Sequence, residues 1–482
     1  MGKHRAVAFG WSLAALVAGA AFAQDAAGPR AGDIVQGRLE LQWGDAPGRV
    51  EALRVDLVRD DGHRIALDPA QARRAAGDLY ALMNRRVAVS AAGGGGAQAL
   101  RIDAMVPVQV VRAARDTALP SYRVAAAAPV SGNRRWVTLL CKFSDIDDEP
   151  RPRAFFREQY ADAPGLLGRY WKEVSYGKVD IAGSNAYGWY RLPHPRSYYT
   201  PAGKRTNTYE LFRDCVAAAD ADVDFSAFDG VNTMYNGELD GFAWGGSGCA
   251  PFDGGASVCK PGTWTPPWGF ENLATLAHEM GHGFGMPHSD NSDGDADSYD
   301  NPWDNMSDDW TNAASDPVYG VLPKHVNMYQ RERMGWVDPA RKATIASTST
   351  APVTVDLDYA SLASASHKQL VVVTLPEPAD PAAQVVYTFE ARRPSGGFEA
   401  KLAGDAVIVH RLEGYGTARS LDASDPAATR SDNEGSMFKV GERLPLAGTA
   451  LSMSVVARTA TGFRIRFARS PTTARPLPAL RK

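Results

Sequence analysis

The sequence predicts an α+β chain in which one mixed unit stands between two β-rich flanks, and three observations predict it. Nine of the eleven tryptophans lie between residues 134 and 338, which marks that stretch as the large aromatic core. Before and after it, short runs alternate apolar and polar residues with the period of two that half-buried strands need. Within it, one segment combines a helical apolar face with closely spaced histidines.

Residues 1–23 are expected to be a signal peptide. Lys3, His4 and Arg5 precede the uncharged apolar run from Ala6 to Ala21, and Ala21-Phe22-Ala23 gives signal peptidase its small-x-small pattern. The expected mature chain starts at Gln24, is exported, and has no later run able to span a bilayer, so no membrane partner follows signal cleavage. With 52 basic and 55 acidic residues the formal charge is −3, which argues against nucleic acid as a partner.

Residues 24–130 read as an N-terminal β-rich domain, or a propeptide, with its linker. Gly37–Leu41 and Leu53–Leu57 alternate like strands, while Arg86–Ser90 and Leu100–Asp103 flank the glycines 93–96 like a hairpin. A small five-stranded, barrel-like domain is expected, followed by an Ala/Pro-rich linker from Ala118 to Val130. Residues 131–340 form the mixed unit: Trp136–Phe143 is a buried-strand pattern, Ala154–Val174 has helical spacing, and Gly177–Trp189 returns to strand. The region after Ala351 alternates again and includes the apolar runs Leu370–Val373 and Val407–His410, and with Phe463–Phe467 near the end residues 341–482 read as a β-sandwich-like domain.

The chemistry is concentrated in His278-Glu279-Met280-Gly281-His282-Gly283-Phe284-Gly285-Met286-Pro287-His288. Histidines four apart project from one helix face and reach one metal. Leu273, Leu276, Ala277 and Met280 fall on another side, so the helix can bury that face while presenting imidazoles to a cleft. Gly283 and Gly285 can end the helix and let His288 swing back as a third ligand. Three imidazoles leave a tetrahedral zinc one open position, the catalytic arrangement. Zinc lowers the pKa of a water there to about 7, and Glu279 has the reach to take its proton and return it to a leaving amine. A chance match to this pattern is expected in roughly one in 10⁵ chains of this composition.

These residues match HExxHxxGxxH, and the chain resembles the metzincin zinc endopeptidases. The resemblance implies a metzincin-like protease domain over residues 131–340 and a methionine turn at Asp304-Asn305-Met306-Ser307, with Met306 as an apolar floor beneath the metal. Where some members have an assisting tyrosine two residues after that methionine, this chain has Asp308. Glu173–Lys178, Arg196–Tyr199, Glu332–Trp336, Tyr387–Glu390 and Val407–Val409 are similar to secreted peptidases of the immune inhibitor A type. His288 and Ser298-Tyr299-Asp300 resemble the gametolysin-type branch.

Asp293, Asp295 and Asp297 alternate as a loop around a hard cation does, which makes calcium a second expected cofactor beside zinc; a solvated acidic turn is the alternative. Cys249 and Cys259 bracket a short loop and are expected to pair, leaving Cys141 and Cys215 for a second bridge. The expected mature chain has no cysteine before Cys141, so latency through an N-terminal cysteine is not expected. His63, His194, His325, His367 and His410 lack metal spacing and read as structural. Trp264 and Trp268 either wall the cleft or pack the core. Gly245–Gly248 has no phosphate-loop helix after it.

The expected function is therefore a secreted, disulfide-bonded zinc endopeptidase acting on protein or peptide substrates, with residues 24–130 as zymogen segment or attached domain. The alternative is a secreted zinc-containing binding or adhesive protein with little activity. Zinc hydrolysis of a non-peptide bond is a third possibility.

Overall fold

The computed structural model describes residues 34–46, 48–92, 101–108, 128–295, 297–376, 384–414, 416–424 and 433–469. The expected signal peptide, the glycine turn 93–96 and the linker up to residue 127 lie outside the described residues. The architecture is mixed α+β, mostly sheet with short helices.

Five strands form the N-terminal unit: β1 (Ile34–Asp45), β2 (Ala52–Val58), β3 (Arg64–Leu67), β4 (Arg86–Ala92) and β5 (Arg101–Pro107), with helix α1 (Pro69–Ala76) between β3 and β4. Alternation puts Leu39, Leu41 and Trp43 of β1 into a core shared with Val55, Leu57, Val87 and Val89. Asp68 caps α1 by accepting from the Gln71 N–H, and Pro69 occupies its first turn. Among the described residues the expected barrel does not close. Their strand order is β3-β2-β1-β4-β5 with β3 and β5 each paired on one side only. Instead of closing on itself, the unit uses the far end of β1 to join the next domain.

That domain supplies β6 (Trp136–Lys142), β7 (Asn185–Arg191), β8 (Gly230–Tyr235), β9 (Ala243–Pro251) and β10 (Ser257–Thr265). The joined sheet runs β3-β2-β1-β9-β10-β8-β6-β7. β6, β7, β8 and β10 are mutually parallel, and β9 is antiparallel to β10. β1 adds to β9 antiparallel, with Gln42, Trp43, Gly44 and Asp45 opposite Gly246, Gly245, Trp244 and Ala243. Sequence alternation cannot show this junction, because one strand serves two domains along its length.

Two apolar layers cover the sheet. On one face α2 (Leu167–Val174) and α3 (Leu273–Phe284) pack with Trp136, Trp171 and Trp336. On the other, the helix Thr208–Ala219 packs Leu211, Phe212 and Val216 against Val137, Leu139 and Trp264. Trp264 therefore belongs to the core. The stretch 154–174 is not one helix: it breaks between Glu158 and Leu167, around Gly165 at φ 82°.

Both cysteine pairs form. Cys141–Cys215 ties β6 to the helix Thr208–Ala219, and Cys249–Cys259 links directly opposed residues of β9 and β10. The C-terminal residues build two sheets around one core. The first contains Lys342–Ala346, Leu370–Thr374, Val385–Arg392, Ala406–Glu413 and Ala418–Ser420, and the second contains Val353–Asp358, Arg443–Pro445, Leu451–Arg458 and Gly462–Arg469. The first sheet takes its edge strand, β11 (Ser289–Asn291), from the segment directly after His288.

Candidate metal centre

Helix α3 (Leu273–Phe284) runs beneath β9 and carries the first two histidines. Leu273, Leu276, Ala277 and Met280 enter the core as the helical period requires. The helix stops at Gly285, which adopts φ 96° and returns its N–H to the Gly281 and His282 carbonyls. This left-handed cap turns the chain so that His288 comes back over the helix. The sequence placed the turn correctly.

The three imidazoles converge. Their Nε2 atoms stand 3.1 Å (His278–His282), 3.1 Å (His278–His288) and 3.0 Å (His282–His288) apart. Tetrahedral zinc with bonds of about 2.0–2.1 Å needs ligand nitrogens about 3.3 Å apart, so the triangle has the size of that ion. Each Nδ1 is engaged from behind: His278 with the Asn305 carbonyl at 2.7 Å, His282 with the Met286 carbonyl at 2.9 Å, and His288 with the Glu51 carboxylate. With Nδ1 holding the proton, all three Nε2 lone pairs face one point. Three lone pairs so close repel unless a cation lies among them, so this donor set fits zinc.

A fourth donor was not expected. Asp45, at the end of β1, places Oδ1 2.9 Å from His288 Nε2 and Oδ2 3.2 Å from His282 Nε2 and 3.6 Å from His278 Nε2. Asp45 and the histidines form a buried group able to hold a metal ion. Tyr299 donates its hydroxyl to Asp45 Oδ1 at 2.7 Å, and Trp43 stacks on the His282 ring at 4.7 Å. Burial opposes the Asp45 charge, but His288 and His282 outweigh it and hold the carboxyl well below its usual range.

Glu279 is fully buried and neither carboxylate oxygen meets a hydrogen-bond partner. Burial, followed by the charge of Asp45, pushes it well above the usual carboxylate range. It packs on Gly245 of β9, where a side chain would collide with it. Met306 is fully buried below the helix, and a side chain at Gly281 would strike its sulfur.

A small cleft lies beside these groups, lined by Asp45, Trp268, Thr275, His278, Glu279, Tyr299, Asp309 and Trp310. Trp268 walls the cleft, whereas Trp264 does not. Asp308, at the position of the absent tyrosine, instead caps the chain by accepting from the Trp310 and Thr311 N–H groups. Tyr299 brings a phenol to the centre from the other direction.

The N-terminal unit is locked over this centre by more than Asp45. Gln42 donates to the Ser247 carbonyl and accepts from Thr208, Arg54 bonds the Thr206 carbonyl and Thr208, and Arg333 meets Asp78 at 2.7 Å. Asp45, Glu51 and Tyr299 are the site residues sequence reasoning missed. Acidic residues in a β-rich segment carry no local mark of a partner more than 200 positions away.

The acidic loop is rearranged relative to expectation. Asp293, Asp295 and Asp300 form a second group with ligand atoms within 4.8 Å of one another. Asp297 is not among them: it accepts from the Tyr299 N–H and shapes the turn. His410 accepts from Asn301 inside the core and His325 lies 3.1 Å from Glu173, so neither joins the metal centre.

No protein-family model and no curated protein matches the chain. Among solved structures it is similar to wild-type OgpA from Akkermansia muciniphila, at 12% identity and a TM-score of 0.28, over 71% of this chain and 94% of that one. A likeness this distant carries no argument about function. Among the described residues no helix is long and apolar enough to cross a membrane.

Proposed function

We propose that this chain is a secreted zinc endopeptidase synthesised in a latent form, with its N-terminal unit as the inhibitor. One observation carries the reading: the three convergent imidazoles have Asp45 on their open side and an orphaned Glu279 carboxylate beside them. His278, His282 and His288 would hold zinc, which supplies an acidified water and polarises a scissile carbonyl.

The remaining steps belong to the chain's own groups. While β1 stays on β9, Asp45 fills the open position and β1 covers the sheet edge, so no substrate enters. Departure of β1 frees the backbone of residues 243–246 to pair with an extended peptide. It also removes the nearest negative charge from Glu279. Glu279 can then take a proton from the attacking water and pass it to the leaving amine. The Tyr299 hydroxyl, released from Asp45, faces the same position and can donate to charge developing on the carbonyl oxygen.

A second reading has a specific observation in its favour. Three histidines plus Asp45 make a closed four-ligand set, as structural zinc sites have, and a zinc-stabilised binding protein would look the same from that side. A structural site has no use for a buried, unpartnered Glu279, so the peptidase reading is preferred. Treatment of the intact chain with a trace of a second protease cutting between residues 118 and 130 tests it. Casein cleavage that appears only after the cut and disappears with a zinc chelator supports the proposal. A cut chain that retains one zinc, loses the N-terminal unit and cleaves nothing contradicts it.

A further inference from the structure

We infer that the cleft beside the metal centre is a subsite for a basic side chain, lysine or arginine, of the peptide substrate, and that Asp309 selects it. The inference rests on the peptidase reading above and adds the class of substrate.

Placement comes first. Thr275 lies one helical turn before Glu279 on α3, so it shares the helix face that meets the metal centre. Asp309 joins Thr275, His278 and Glu279 in the lining of the cleft. The register of β1 shows how a peptide would reach it. Asp45 stands opposite Ala243, and Ala46, the next residue, also lines the cleft. A peptide lying in place of β1 and running in its direction would turn the side chain just past the metal toward Asp309. In the latent chain that position holds only the Ala46 methyl.

The charge in the cleft comes second. Asp309 is 7% exposed, and its Oδ2 accepts from the Thr275 hydroxyl at 3.0 Å. Among the described residues no cation forms an ion pair with it: the buried Lys324 stands 3.9 Å from Asp308 and donates to the Pro302 and Thr311 carbonyls. Burial, the largest influence, raises the Asp309 carboxyl to about 6, so it is charged at neutral pH. A nearly buried carboxylate without a paired cation is costly, and an ammonium or guanidinium from the substrate would supply the missing partner. Trp268 and Trp310 give the same cleft two aromatic walls. Their faces suit the methylene stem and the cation of lysine or arginine. An acidic side chain would meet Asp309 and Glu279 together and be repelled.

The rival role for Asp309 is structural, tying the chain after Met306 to α3 through Thr275. Three peptides that differ only in the residue after the scissile bond distinguish the two: lysine, norleucine (the same stem without the charge) and glutamate. For the linker-cut chain kcat/KM should fall in that order, with lysine about tenfold or more above norleucine. Asp309→Asn keeps an oxygen for the Thr275 hydroxyl and should bring lysine and norleucine within about threefold of each other, whereas a structural role would slow all three peptides alike. The wild-type comparison decides the question alone should that variant fail to fold. Cleavage of the norleucine peptide at least as fast as the lysine peptide, or a lysine preference kept in Asp309→Asn, overturns the inference and leaves the peptidase reading standing. Silence toward all three peptides and toward casein overturns both.

Discussion

Replacing Asp45 by alanine should convert the intact chain from silent to partly active. The Asp45 carboxylate accepts from Tyr299 at 2.7 Å and approaches His288 Nε2 at 2.9 Å. A hydrogen bond to a charged group contributes about 1.5–3 kcal/mol, and a carboxylate–metal contact adds at least as much. Taking about 3 kcal/mol as the loss, the open fraction should rise about 100-fold. It should not reach that of a chain freed of its N-terminal unit, because the four β1–β9 pairs and the Gln42, Arg54 and Asp78 contacts remain. The assay is hydrolysis of a quenched mixed-peptide substrate by intact wild type, Asp45→Ala and Asp45→Asn, with zinc counted in each. The expected order of rates is Ala, then Asn, then wild type. Zinc should also exchange faster in both variants, a readout that needs no turnover. Intact wild type as active as Asp45→Ala at equal zinc content would refute the reasoning.

Three further outcomes follow from the same geometry. Glu51→Gln removes the charged partner of His288 Nδ1 and should lower zinc affinity of the intact chain about 10- to 100-fold, measured by chelator competition. Burial, aided by the nearby Arg392 charge, holds His410 down at about 3. As pH falls from 6.5 toward 3 the unfolded chain takes up a proton that folded His410 refuses, so stability is full above 6.5 and drops by a few kcal/mol across that window. The Tm of His410→Gln should therefore fall less steeply between pH 6 and pH 4 than that of wild type, and parallel curves would contradict this. Cys141→Ser should cost more stability than Cys249→Ser in urea unfolding. The first bridge spans 74 positions and the second 10, about 4 against 3 kcal/mol in chain entropy, and the second is backed by a strand ladder.

The part of the centre that sequence made legible is the part written locally. His278 and His282 are fixed by helical spacing, and the return of His288 needs only the Gly285 cap. Period-two runs likewise placed β1, β2 and β4, a continuous apolar run placed β6, and the cysteine pairs were the ones expected. What sequence left dark is non-local. Nothing in Trp43-Gly44-Asp45 says that β1 continues past its own domain to the edge of β9, yet that pairing carries Asp45 onto three histidines. The same blindness produced the expectation of a closed barrel. In the acidic loop, alternation suggested Asp297, but the Asx-type turn spends that side chain on the Tyr299 N–H and brings Asp300 to the cluster.

The central claim is that Glu279 moves the proton in a zinc-dependent peptide hydrolysis that the N-terminal unit holds in check. Peptide cleavage by the chain cut in its linker, compared with the same preparation of Glu279→Ala and with zinc counted in both, tests it most directly. The account predicts one zinc per chain in each and a rate at least about 100-fold lower in the variant. Equal rates at equal zinc content would contradict it.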